Sequence, residues 1–213
     1  MSADPNPGTS EPTGPSGPLD APVWRKDTGA PGEDQRARML AGLPYESADL
    51  HLTEERRKAR ALFRRFNDSD DEELRDAILH ELCAEVGEGA YVEPPLRCDY
   101  GWNLRIGRRT FINFGLVALD VMPITIGDFC QIGPGVQLLA ATHTVDPGPR
   151  RMGEESAAPI TVGANVWLGG ATVVCPGVTI GENTVIGAGS VVTKDIPADV
   201  VAAGNPCRVI REL

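Results

Sequence analysis

From Ile106 onward an aliphatic residue recurs at six-residue spacing, often directly before a glycine. The clearest run is Val162-Gly163, Leu168-Gly169, Val174, Ile180-Gly181, Ile186-Gly187 and Val192. Ile126-Gly127, Ile132-Gly133 and Leu138 lie in the same frame. A period of six suits neither an α-helix nor a lone alternating strand. It suits short strands joined by sharp corners and stacked into a parallel β-solenoid. The aliphatic residue then fills a narrow core, and glycine serves a corner that needs unusual backbone or close approach. Ile106-Gly107 and Ile112 are out of phase with the later frame, so two extra residues must be absorbed near Leu119–Ile124, where Pro123 is a natural site. Residues 139–161 lose the beat altogether, which predicts a loop thrown out of a rigid rod; it carries His143.

Upstream the pattern is helical. Glu33–Ala41 reads as a short helix ended by Gly42, with Pro44 beyond. A second helix is expected over Thr53–Phe66, with Leu62, Phe63 and Phe66 on an apolar face and Arg56, Arg57, Arg60 and Arg64 on a solvated basic one. Ser69-Asp70-Asp71-Glu72 offers a capping box for a third, in which Leu74, Ala77, Ile78 and Leu82 follow at helical spacing and Gly87 and Gly89 mark the end. These helices should cover the open edge of the first coil. The expected organisation is therefore a helical cap over 33–90 and a solenoid over 91–213, with an excursion loop at 139–161. Residues 1–32, rich in Pro, Gly, Ser, Thr and Ala, cannot bury enough surface to offset their ordering entropy and read as a disordered tail.

Composition narrows the chemistry. Aromatic residues make up only 5% of the 213, as a thin prism with little room for rings requires. A formal net charge of −10 argues against a general basic surface for nucleic acid. No apolar run is long enough to span a bilayer, and no basic segment precedes an apolar core at the N-terminus. Cys83, Cys98, Cys130, Cys175 and Cys207 are widely spaced, with no C-x-x-C pair, and read as reduced structural thiols. The expected location is the cytoplasm.

The ordered motifs are Met39-Leu40-Ala41-Gly42, Arg97-Cys98-Asp99-Tyr100-Gly101, Asn113-Phe114, Ala141-Thr142-His143, Asn165-Val166-Trp167-Leu168-Gly169-Gly170, Val192-Thr193-Lys194-Asp195 and Gly204-Asn205-Pro206-Cys207-Arg208. Together they resemble the maltose and galactoside O-acetyltransferases of the hexapeptide-repeat family, which includes the nodulation acetyltransferases. The likeness covers nearly the whole chain after the tail. It implies an all-β solenoid, specifically a left-handed parallel β-helix, assembled as a homotrimer that moves an acetyl group from acetyl-CoA to a sugar hydroxyl. Thr144 stands where many relatives place proline after the histidine, and Gly170 where some carry serine.

A sugar hydroxyl is a weak acid, so attack on a thioester gains from a base, and an imidazole is matched to neutral pH. His143 is the one histidine outside the cap, His51 and His80 lying within it, and the resemblance makes it the general base. Glu154 looks like the family residue that orients the imidazole; read alone it is a solvated loop carboxylate like Glu155. For the acceptor, Asp99 and Asn113 match contact positions, Asp49 could reach the site from the cap, and Asp120 is a further candidate. Asn and Asp at corners also serve turn geometry. For the donor, Trp167 could line a groove between neighbouring solenoids, with Gly170 and Ala188 leaving room. Thr193, Lys194, Arg208 and Arg211 supply partners for the phosphates and the adenosine end. No serine sits in a strained elbow and no cysteine beside a histidine, which favours direct transfer over an acyl-enzyme. One solenoid histidine also falls short of a zinc site. The alternatives are an O-acetyltransferase for a non-sugar hydroxyl or natural product, and a non-catalytic hexapeptide-repeat scaffold.

Overall fold

The structure is a computed structural model describing residues 34–213; the segment read as a disordered tail lies outside the described residues. Helix α1 spans Gln35–Leu40, with the Asp34 carboxylate accepting from the Ala37 N–H, and the chain turns at Gly42, φ 69°. Helix α2 spans Leu50–Asp68, longer at both ends than its apolar pattern, because Asp49 caps it three residues earlier than Leu52, whose N–H it binds at 3.0 Å. Helix α3, Glu72–Leu82, starts at Asp71, which accepts from Leu74 N–H at 3.1 Å; the capping role falls to Asp71 and not to Ser69. It ends at Cys83, well before Gly87, because Glu85–Val86 already pairs in parallel with Arg105–Ile106. The solenoid therefore begins at Glu85. Gly87 belongs to its first corner, where a Cβ would collide with the backbone of Arg108.

Buried Leu52, Ala59, Phe63 and Phe66 of α2 meet Ile78, Leu79 and Leu82 of α3 over the first coil. Asn67 closes the backbone edge there: its Nδ2 donates to the Leu96 carbonyl at 2.9 Å and its Oδ1 accepts from Leu96 N–H at 2.8 Å.

Three parallel sheets form the faces of the solenoid. The inward residue of each strand is the one that carries the six-residue beat: Ile106, Ile112, Ile126, Ile132, Leu138, Val162, Leu168, Val174, Ile180, Ile186 and Val192 are all at most 1% exposed. Buried hydroxyls are satisfied at corners, with Thr110 donating to Gly127, Thr172 to Gly169 and Thr184 to Pro197 carbonyls, each at 2.7 Å. Coil length changes along the rod. Later coils advance by 18 residues (Val162 beside Ile180), early ones by 20 (Ile106 beside Ile126). The surplus sits in one column of corners, at Asp120–Pro123 as the phase shift predicts, and again one coil earlier at Asp99–Asn103. The excursion loop leaves from the same column. Ala158 N–H bonds the Ala140 carbonyl at 3.0 Å and closes its neck. At the far end, Arg208–Glu212 folds back antiparallel on Val200–Ala203.

Candidate active site

The excursion loop folds into a hairpin. Strand Ala141–His143 pairs antiparallel with Glu154–Ala157, and the latter pairs antiparallel with β1, Tyr45–Glu46, which the cap contributes. Tyr45 lies opposite Glu155, and Glu155 opposite His143. Residues directly opposite in a sheet share a face, so these three side chains form one row across three strands. The Tyr45 hydroxyl donates to Glu155 Oε2 at 2.8 Å. Burial and then the Glu155 charge push the Tyr45 hydroxyl far above the ordinary tyrosine range, so it is a permanent donor.

His143 Nδ1 lies 3.3 Å from the backbone carbonyl oxygen of Glu154. A carbonyl only accepts, so this contact selects, for the neutral ring, the tautomer with the hydrogen on Nδ1 and the lone pair on Nε2. The expectation for Glu154 is thus corrected in kind. Its main chain, not its carboxylate, meets the imidazole. Strand alternation turns its side chain to the opposite face, beside Gln35, Arg38 and Met152, and brings Glu155 to the histidine's face instead.

His143, Asp99 and Glu155 line one open cleft of about 310 Å³, walled below by Leu119 and Val121 and on the cap side by Ser47, Ala48, Arg56 and Arg60. Arg56 ties that wall together: its guanidinium donates to the Tyr100 hydroxyl at 2.7 Å and to the Ser47 carbonyl. Arg56, which read as part of a solvated helix face, is thus held in the cleft wall, and Arg60 stays exposed at its rim; helical periodicity identifies a polar face but not what stands opposite it. Burial, followed by the nearby Asp120, pushes the Asp99 carboxyl up to about 6, with Arg56 pulling it back.

Asp120 itself is fully buried and structural. It accepts from the N–H groups of Asp99 at 2.9 Å, Tyr100 at 2.8 Å and Asn103 at 3.3 Å, holding the enlarged corner in shape. Asp49 is likewise spent on capping α2, and Ser47 and Ala48 take its expected place in the cleft wall. Asn113 does not join His143 of its own chain. It lies on another face, in a groove of about 250 Å³ with Phe111, Gln131, Trp167 and Gly170. Its Oδ1 accepts from Phe114 N–H at 2.7 Å.

Trp167 is 55% exposed in that groove. Gly170 and Ala188 occupy successive levels of the adjoining corner, where the Gly169–Gly170 segment packs against Gly187–Ala188 so closely that a Cβ on Gly169 would lie 2.5 Å from Ala188 N. Arg208 follows at the same edge, paired with Ala203, and Arg211 pairs with Val201; both side chains are exposed. Thr193 and Lys194 are exposed at the corner column from which the hairpin leaves. Among the described residues no group of three or more His, Cys, Asp or Glu could hold a metal ion, and no helix is long and apolar enough to cross a membrane.

Residues 38–87 match the maltose acetyltransferase hexapeptide capping motif and residues 159–194 the bacterial transferase hexapeptide of six repeats. The chain is 48% identical over 178 residues to the galactoside O-acetyltransferase of Escherichia coli K12, covering 83% of this chain and 88% of the relative. A crystal structure of a maltose O-acetyltransferase from Clostridium difficile 630 superposes with a TM-score of 0.84 at 45% identity, over 85% of this chain and 98% of that one. A hexapeptide-repeat acetyltransferase of Vibrio cholerae O1 biovar eltor, solved with acetyl coenzyme A, gives 0.80 at 39% identity, over 85% and 99%. Matched in its capping motif and its hexapeptide repeats, and alike over more than four fifths of its length, the chain is a left-handed parallel β-helix that belongs to the maltose and galactoside O-acetyltransferase family of hexapeptide-repeat acyltransferases.

Proposed function

We propose that this protein transfers an acetyl group from acetyl-CoA directly to a hydroxyl of a sugar, in the cytoplasm where that donor is made. The observation that carries the reading is His143 in a polar cleft, its Nδ1 occupied by the Glu154 carbonyl and its Nε2 free. Nε2 takes the proton of the acceptor hydroxyl as the oxygen attacks the thioester carbonyl, and returns it to the departing thiolate sulfur. The products are an acetyl ester and free coenzyme A thiol, with no acyl-enzyme between. Asp99 and the arginine-lined wall bind the acceptor. The pantetheine arm runs along Trp167 and past Gly170 and Ala188, with Thr193, Lys194, Arg208 and Arg211 at the anionic end. Because the Trp167–Asn113 groove and the His143 cleft lie on different faces, a neighbouring copy completes each site. The assembly is a homotrimer in this reading, with Asn113 of one chain serving the acceptor of the next.

Thiol release from acetyl-CoA across a panel of sugars tests the activity. His143→Ala should fold and assemble as the wild type does, yet lose roughly two to four orders of magnitude in turnover, the usual range for a lost general base. Turnover within a factor of about three of the wild type would remove His143 from the proton transfer.

A further inference from the structure

Where the cap meets the solenoid, two buried donors have no hydrogen-bond partner among the described residues: Arg36 Nε and Trp102 Nε1. They belong to one contact. The Arg36 guanidinium lies over the Trp102 ring, 4.3 Å from its centroid, and that ring meets Tyr100 at 5.2 Å. Tyr100 in turn takes Arg56, whose guanidinium donates to its hydroxyl at 2.7 Å and to the Ser47 carbonyl. No hydrogen bond joins Arg36 to Trp102. The attraction is that of a cation for a ring face, strongest where water is excluded, and it must outweigh the cost of two unsatisfied buried donors.

Trp102 and Tyr100 both stand on the enlarged corner Asp99–Asn103 of the solenoid. Arg36 stands on α1 next to Gln35, which is 6% exposed and whose Oε1 accepts from the Glu46 N–H at 2.9 Å. Glu46 ends β1 and Ser47 follows it, so β1 is gripped from two sides, by Gln35 of α1 and by Arg56 of α2. Each grip leads back to one ring of the same aromatic pair. Helix α1 packs on β1, on Glu154–Ala157 and on α2. β1 sets the register of Glu154–Ala157, and that strand pairs with Ala141–His143.

We infer that Arg36 and Trp102 are positioning residues for the general base: their stack seats α1 on the enlarged corner, Gln35 passes that seat to β1, and β1 fixes the hairpin that carries His143. The inference rests on His143 acting as the base, and it gives the cap a task beyond covering the edge of the first coil. A cap that only covers predicts a different result. The same changes would then lower the melting temperature of the whole chain and leave the hairpin no looser than the coils.

The test reads the hairpin directly. Hydrogen exchange followed by mass spectrometry is measured on the full chain, with peptides over 141–157 compared with coil peptides over 160–192. In Arg36→Leu and in Trp102→Leu, hairpin amides should exchange roughly 5- to 30-fold faster, the range for losing one desolvated cation–π contact. Coil amides should keep wild-type rates. Turnover with the best sugar from the panel should drop about 10- to 100-fold, as when a reacting group is displaced by about an ångström, and the KM for acetyl-CoA should hold. Arg36→Lys keeps a cation; Trp102→Phe keeps a ring face and removes an unsatisfied donor. Both should return protection and turnover to near wild-type values. Should the leucine variants fail to fold, Gln35→Met cuts the path one step further on without touching the stack, and should loosen the hairpin in the same way. A folded variant with wild-type hairpin exchange overturns the inference, as does faster exchange spread evenly over hairpin and coils. Faster hairpin exchange with unchanged turnover in an active enzyme overturns the positioning role. A wild type that acetylates no sugar counts against the proposed reaction instead, and the exchange arm still decides whether the stack seats the hairpin.

Discussion

Asp99 is a side chain that costs the fold stability at neutral pH and lines the His143 cleft. Its carboxyl titrates at about 6 in the folded protein and near 3.8 when unperturbed, burial being the main cause and Asp120 the next. Between those values the folded state holds a proton that the unfolded chain has released. Stability therefore falls as pH rises through that window, and the contribution of this group is most favourable below it. Natural chains keep such costs chiefly where a binding or catalytic role requires them. Asp99→Asn should accordingly stabilise the protein at pH 7, by an amount of order 2 kcal/mol, with the gain shrinking as pH falls below about 6. The same change should raise the acceptor KM. Thermal melts of both proteins at pH 5 and pH 7, beside steady-state kinetics, check the two halves; a variant less stable than the wild type at pH 7 would refute the first.

Among the elements, the enlarged corners do the most to build the cleft. A six-residue step keeps a corner tight, as from Val174 to Ile180; the eight-residue steps from Cys98 to Ile106 and from Ala118 to Ile126 push chain outward beneath the hairpin. Asp120 holds one bulge to the other through the N–H groups of Asp99, Tyr100 and Asn103. Asp120→Ala would orphan buried donors, at a cost of about 2–4 kcal/mol. It should also misplace Asp99, so acceptor kcat/KM should drop while the acetyl-CoA KM holds. Calorimetric melting and a two-substrate kinetic comparison measure these effects; unchanged acceptor kinetics in a destabilised variant would separate the bulge from the site. The phase slip between Ile112 and Ile126 announced one bulge, because a period admits no slack. The hairpin was less legible. Residues 154–157 alternate without a clear apolar face, and their register is set by β1, more than a hundred residues away in sequence.

For the molecule as a whole, the Trp167–Asn113 groove and the His143 cleft lie on different faces of one chain. Lys194 and Arg208 should act on the anionic end of the coenzyme and take no part in proton transfer. Their double replacement by alanine should raise the acetyl-CoA KM and flatten its dependence on salt, leaving the acceptor KM in place. Titration calorimetry with unchanged coenzyme affinity would return both residues to ordinary solvated surface. The separation of Asn113 and Trp167 from His143 within one chain leads to the expectation of three chains per particle by light scattering. A monomer that is active at assay concentration would show instead that one chain holds a complete site.

The amino-acid sequence alone determined the solenoid, the cap, the excursion loop and the histidine within it. Each depends on local periodicity or on a residue type with one chemical talent, and neither needs partners to be recognised. Only the tertiary structure decided where each carboxylate lies and what it bonds. It sent Glu154 to one face of the hairpin and Glu155 to the other, spent Asp49 and Asp120 on backbone N–H groups, and set Arg56 and the exposed Arg60 beside the His143 cleft. The physical reason is that a carboxylate or guanidinium is suited equally to capping, pairing, solvation or binding. Its role is fixed by the groups that long-range packing places around it, and those groups are not its neighbours in the chain.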